Sequence, residues 1–234
     1  KIQKILQIMN EEEKKIAVVL SGCGVFDGTE IHEAVLTLLA IEEEGASWHC
    51  FAPNIDQMHV IDHATGEVDE GVTRNVFSES ARIARGGDKL SELSDYDPVD
   101  FDAIVFPGGF GGAKNLSDFA VRGTEAEVQE YVAVAVRSTH AMGKPIGFIC
   151  ITPASVGALT LGGDGVELTI GNDPDTASAV VQCGAQHTDC SVDDVVVDLE
   201  NKVVSTPAYM LGPGVADVRK GISKLIKEVL NLTR

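Results

Sequence analysis

The sequence predicts a doubly wound α/β fold, a largely parallel sheet with helices on both faces. Short β-branched apolar runs alternate with stretches of helical periodicity from residue 16 to residue 232. Glycine-bearing loops follow the first, third and fourth expected strands, so a parallel sheet brings all three to one rim. The run Lys144-Pro145-Ile146-Gly147-Phe148-Ile149-Cys150-Ile151-Thr152-Pro153-Ala154 reads as a buried strand that stops at a cysteine and turns at once into a helix. Such a corner lies at the carboxyl end of a strand, where open α/β sheets bind their ligands.

The first strand is read at 16–20, from Ile16-Ala17-Val18-Val19-Leu20. A glycine loop over 21–28 leads into a helix at 29–44, with Thr29 as N-cap and Ile31, Val35, Leu38 and Leu39 at helical spacing. Gly45 ends it, and 47–52 is the second strand. The stretch 53–97 breaks the alternation and reads as an insertion over one sheet edge, with a helical patch at 80–85. A strand at 102–106 then runs straight into Pro107-Gly108-Gly109, and a helix at 125–142 leads to the Cys150 strand. A helix at 154–161, a strand at 167–170 and a helix at 175–183 follow. Two strands, 195–198 and 202–205, are joined by Leu199-Glu200-Asn201, and 215–232 is the final helix.

Composition narrows the function. The 234 residues suit one large domain over 15–234, behind a lead-in at 1–14. The net charge of −18 and the low aromatic content argue against nucleic acid and anionic membranes as partners. No apolar run approaches the ~20 residues that span a bilayer. Cys23, Cys50, Cys150, Cys183 and Cys190 are odd in number and irregular in spacing, so neither a disulfide framework nor a structural zinc site is expected. No secretory signal is legible, so the expected setting is cytoplasmic, or the mitochondrial matrix where a transit peptide has been removed.

Other motifs weigh less. The spacing Gly22-x-Gly24-x-x-x-Gly28 misses the dinucleotide fingerprint by one residue, and no Walker-type lysine follows. His59 and His63 sit four apart, but Val60-Ile61-Asp62 between them and Thr65-Gly66 beyond read as strand and turn, so no metal site is expected. Cys150 stands at a helix N-terminus, whose partial positive charge favours a thiolate.

The glycine loop with Glu30 and Glu33 beyond it, Phe106-Pro107-Gly108-Gly109 with Gly112-Ala113-Lys114-Asn115-Leu116, and Gly147-Phe148-Ile149-Cys150-Ile151 together resemble the ThiJ/PfpI superfamily of class I glutamine amidotransferase-like domains. Leu20 to Glu33, Arg74-Asn75-Val76 and Thr206-Pro207-Ala208-Tyr209-Met210 look like its ElbB-like subfamily. The resemblance implies a flavodoxin-like sandwich with Cys150 on a nucleophile elbow. It implies Glu33 as the acidic partner, Glu30 as the second choice, and Gly108, Gly109 and Ile151 lining an oxyanion and substrate pocket. It further implies a homodimer and a cofactor-independent, glyoxalase III-like lyase converting small α-oxoaldehydes, such as methylglyoxal or glyoxal, to hydroxy acids. The alternatives are a redox-responsive protein with an oxidisable elbow cysteine, or a non-catalytic amidotransferase-like protein. Two departures from the wider superfamily count against amidotransferase and protease chemistry. The Ser205-Thr206-Pro207-Ala208 stretch has neither the histidine nor the glutamate of a hydrolytic triad, and Ile151 replaces the histidine that follows a protease's cysteine. His187 is the remaining candidate base, without a place near the site.

Overall fold

The computed structural model describes residues 13–234, so the expected lead-in at 1–14 lies outside the described residues as far as residue 12. Seven strands form one sheet. They are β1 (Lys15–Val19), β2 (Ser47–Ala52), β3 (Leu90–Glu92), β4 (Ala103–Phe106), β5 (Ile146–Ile149), β8 (Val196–Asp198) and β9 (Val203–Thr206). Their spatial order is β3-β2-β1-β4-β5-β9-β8. All neighbours are parallel except β8 and β9, which form an antiparallel hairpin. β6 (Glu167–Leu168) and β7 (Gln186–His187) make a separate two-stranded sheet, so the strand expected at 167–170 lies outside the main one.

Because successive strand residues face opposite sides, the sheet builds two cores. Ile16, Val18 and Leu20 pack with α1 (Ile31–Glu43), α2 (Val76–Ala84) and the C-terminal helix Val215–Asn231. Ala17, Val19, Ile104, Phe106 and Phe148 face the other side, against the helix Glu130–Ala141 and Val156, Leu161 and Val180. The Phe106 and Phe148 rings stack at 5.3 Å between centroids. From β1 the chain crosses to β2 on one side, while β4 lies on the other. The carboxyl ends of β1 and β4 therefore frame a topological switch point, where a crevice opens in such sheets.

Three expectations change. The 53–97 stretch is not uniform, because α2 and β3 continue the regular alternation and extend the sheet. Only about 53–74 stands apart, pinned by bridges Asp56↔Asn75 and Ile61↔Val68. Thr29 does not cap α1. Glu30 does, its Oε2 accepting the Glu33 N–H at 2.7 Å, while the Thr29 hydroxyl accepts the Ser21 N–H at 2.7 Å. The apolar face expected for α1 is largely turned outward. Ile31, Val35 and Leu39 are 42%, 50% and 40% exposed, whereas Glu33, Ala34, Thr37 and Ile41 are buried with Leu38.

Candidate active site

Cys150 terminates β5 and holds φ at +66°, a conformation that side-chain-bearing residues rarely adopt. Its N–H donates to the Thr206 carbonyl at 2.9 Å, one step beyond the β5–β9 ladder. Thr152, two residues on, braces the corner. Its hydroxyl lies 2.9 Å from the Ile149 N–H, the Ile149 carbonyl and the Phe106 carbonyl. The following segment, Pro153–Ala158, is wound as a π-turn, a form common at functional sites. The sharp turn leaves the Cys150 side chain at the rim, 8% exposed.

Glu33 meets it there. The first turn of α1 carries the carboxyl into full burial, where it and the Cys150 side chain both lie against Gly108. The Gly108 N–H donates to Glu33 Oε2 at 2.9 Å, and the Tyr209 N–H to Oε1 at 3.1 Å. The Gly109 and Ile151 amides favour the charged form of the Cys150 thiol. Two amides thus serve the carboxyl and two the thiol. Burial lifts the Glu33 carboxyl to about 8, opposed by the Tyr209 and Gly108 amides and reinforced by the Glu30 charge. Burial, and then the Glu33 charge, push the Cys150 thiol well above its usual range. Neither group loses its proton easily while the other is charged, so the pair titrates as a unit and shares one proton between its members once the first has left.

Glycine makes the close approach possible. A Cβ on residue 108 would collide with Cys150 Cβ and Glu33 Oε2. Gly109, at φ +96°, abuts the Glu30 N–H and the Gly28 carbonyl. The two glycine loops are knitted together by the Glu30 N–H on the Gly108 carbonyl, the Gly111 N–H on the Gly28 carbonyl and the Phe110 N–H on the Val25 carbonyl. Asn115 spans them, its amide donating to the Ser21 and Asp27 carbonyls at 2.9 and 2.8 Å. These bonds knit the loop from within.

The expected site residues separate into roles. Cys150, Glu33, Gly109 and Ile151 converge. The Gly108 N–H is engaged with the Glu33 carboxyl. Glu30 caps the helix and is not the partner of the thiol. His187 accepts the Ile170 N–H at 3.3 Å and lies 3.7 Å from Asp189, with no bond to the pair. His63 accepts the Phe26 N–H at 3.2 Å, bracing the loop. Among the described residues no cluster of three or more metal-type ligands occurs.

Ala208 and Tyr209 escaped the sequence reading. Ala208 is fully buried at φ +44°, and this left-handed turn aims the next N–H, that of Tyr209, at Glu33. The Thr206-Pro207-Ala208-Tyr209 motif marked the place in the sequence. An alanine in the left-handed region gave no sign of its backbone geometry.

No family model matches the chain. It is 45% identical over 228 residues to a rat "ES1 protein homolog, mitochondrial", covering 94% of this chain and 84% of the relative. It is 44% identical over 228 residues to the human "Glutamine amidotransferase-like class 1 domain-containing protein 3, mitochondrial", covering 94% of this chain and 83% of that one. Among solved structures, an isoprenoid biosynthesis protein with amidotransferase-like domain from Ehrlichia chaffeensis shares 37% identity at a TM-score of 0.85, over 93% of this chain and 99% of that one. A ThiJ/PfpI domain protein from Brachyspira murdochii shares the fold at a TM-score of 0.56 and 16% identity, over 94% of this chain and 98% of that one.

Proposed function

The chain belongs to the ES1 family of glutamine amidotransferase-like class 1 domain proteins, within the ThiJ/PfpI superfamily, and from that membership we propose a cofactor-independent glyoxalase-type enzyme that converts small α-oxoaldehydes to 2-hydroxy acids. The observation that carries the reading is the buried Cys150–Glu33 pair, with backbone donors split between its members.

The chemistry balances without an external oxidant. The Cys150 thiolate adds to the aldehyde carbon, forming a C–S bond. The carbonyl oxygen becomes an oxyanion beside the Gly109 and Ile151 N–H groups and takes the proton held on Glu33. The Glu33 carboxylate then removes the hydrogen on that carbon as a proton, giving an enediol, and returns it to the neighbouring carbon. The aldehyde carbon is thereby oxidised to a thioester while the ketone is reduced to an alcohol. Water cleaves the C–S bond, releasing the hydroxy acid and restoring the thiol.

Glu33 suits this role because burial keeps its affinity for protons near neutrality, where a group can both take and return one. The missing local histidine supports isomerisation over hydrolysis of amides. The burial of Cys150 disfavours a peroxide sensor, which needs an open, low-pKa thiol. The same proposal includes a homodimer, and the mitochondrial names of the two mammalian relatives favour the mitochondrial matrix as its setting.

The test is loss of methylglyoxal and appearance of lactate with the purified chain. Turnover should fall at least a hundredfold in both Cys150→Ala and Glu33→Gln. A Cys150→Ala protein as fast as the parent would sink the mechanism.

A further inference from the structure

Tyr209 touches the pair twice removed. Its N–H donates to Glu33 Oε1, and its hydroxyl lies 2.8 Å from His32 Nδ1, one residue before Glu33 on α1. The two rings also lie 5.8 Å apart between centroids, tilted by 48°. The peptide that serves the carboxyl is thus fastened at its far end to the helix that carries the carboxyl. The same segment holds the thiol side as well, since the Thr206 carbonyl accepts the Cys150 N–H at 2.9 Å.

The fastening has work to do. Ala208 sits in the left-handed region, where a side-chain-bearing residue is strained unless its surroundings over-determine it. On one side the Gly212 N–H donates to the Ala208 carbonyl at 2.8 Å. On the other, Tyr209 reaches across to α1 through its N–H and its hydroxyl. His32 is half exposed, its imidazole 3.9 Å from the Glu30 carboxylate, which itself caps the Glu33 N–H. The titratable groups around Glu33 are therefore Cys150 from the elbow, Glu30 and His32 from α1, and Tyr209 from the turn.

We propose that the Tyr209–His32 contact is a positioning latch that presses the Tyr209 N–H onto Glu33 and so sets how the shared proton divides between Glu33 and Cys150. This rests on the Cys150–Glu33 pairing described above but not on the identity of the substrate. The sign of the effect follows from which member the amide serves. The Tyr209 N–H favours the charged carboxylate. Releasing it removes support from the microstate with charged Glu33 and a neutral thiol, and leaves the thiolate with protonated Glu33 untouched. The pair should then ionise at higher pH, and a larger share of the single charge should sit on sulfur once it does. A loosened pocket, by contrast, raises thiol reactivity at every pH without moving the midpoint.

The test is the rate of Cys150 alkylation by iodoacetamide between pH 5 and pH 10, read by mass spectrometry of the Cys150 peptide in the full chain. Tyr209→Phe and His32→Leu should each raise the midpoint by roughly 0.5–1 pH unit, the size of one hydrogen bond to a charged group. The plateau reached after the first ionisation should rise by the same factor, about three- to tenfold. The double variant should match the single ones, because either change opens the same contact. Thermal melts establish that each variant is folded, and His32→Asn, which retains a polar group on α1, serves where His32→Leu is not. Profiles that superimpose on the parent while Glu33→Gln moves the midpoint overturn the latch alone. Profiles unmoved even by Glu33→Gln overturn the pairing and the latch together. Absence of methylglyoxal turnover beside the expected alkylation shifts leaves the latch standing and removes the proposed substrate.

Discussion

Burying Glu33 costs the fold stability wherever its carboxyl is charged. In the unfolded chain the group releases its proton near its ordinary 4.5, and in the folded protein near 8. Between those values the native state holds a proton that the unfolded state has lost. Stability is therefore fully present below about pH 4.5 and falls as pH rises to about 8, by on the order of 5 kcal/mol at most. Urea unfolding at several pH values should show this slope, and Glu33→Gln should flatten it. An unchanged slope in the variant would mean that Glu33 is not buried with its proton. Cys150 was legible as a residue because a strand, a cysteine and a helix start leave a mark in the sequence. The choice of Glu33 over Glu30 came from the resemblance and is sharpened by geometry: three residues apart, one carboxyl turns inward and the other folds back on its own helix end. What Tyr209 contributes is a backbone N–H, which every residue but proline has, so no residue type announces it.

At the scale of elements, the loop after β4 depends on having no side chain at 108. Gly108→Ala should lower turnover at least a hundredfold and cost roughly 1–3 kcal/mol of stability, since the added methyl must displace the elbow or the carboxyl. Methylglyoxal kinetics and thermal melts measure the two effects. Near-parent kinetics would show that the loop can shift without harm to the pair. The strands of the main sheet were readable because β-branched runs are long enough to outweigh their flanks, as Ile16–Leu20 shows. β3 was not, because Leu90-Ser91-Glu92 is three half-buried residues with one apolar side chain. The burial of α1 misled for a physical reason. Its inward face carries Glu33 and Thr37, and helical periodicity counts those as outward.

At the scale of the molecule, the stripe Ile31, Val35 and Leu39 runs from the site down the open side of α1. Burying it in a second copy is the economical outcome for three apolar side chains in a row, and the proposed homodimer is assigned to this face. Val35→Asp should convert the dimer to monomer in light scattering, with the monomer still folded, and a dimer that survives would place the interface elsewhere. The doubly wound order itself was predictable from alternation alone. The closure of the glycine loops on each other was not, because it depends on contacts between segments 88 and 94 residues apart, such as Asn115 on Asp27 and Ser21. The charge of the molecule has a consequence for what the crevice admits. The chain as a whole carries −18, and the Glu30 charge stands beside the buried pair. A visitor arriving with its own negative charge meets a repelling field. The crevice therefore favours uncharged electrophiles over carboxylates and phosphates.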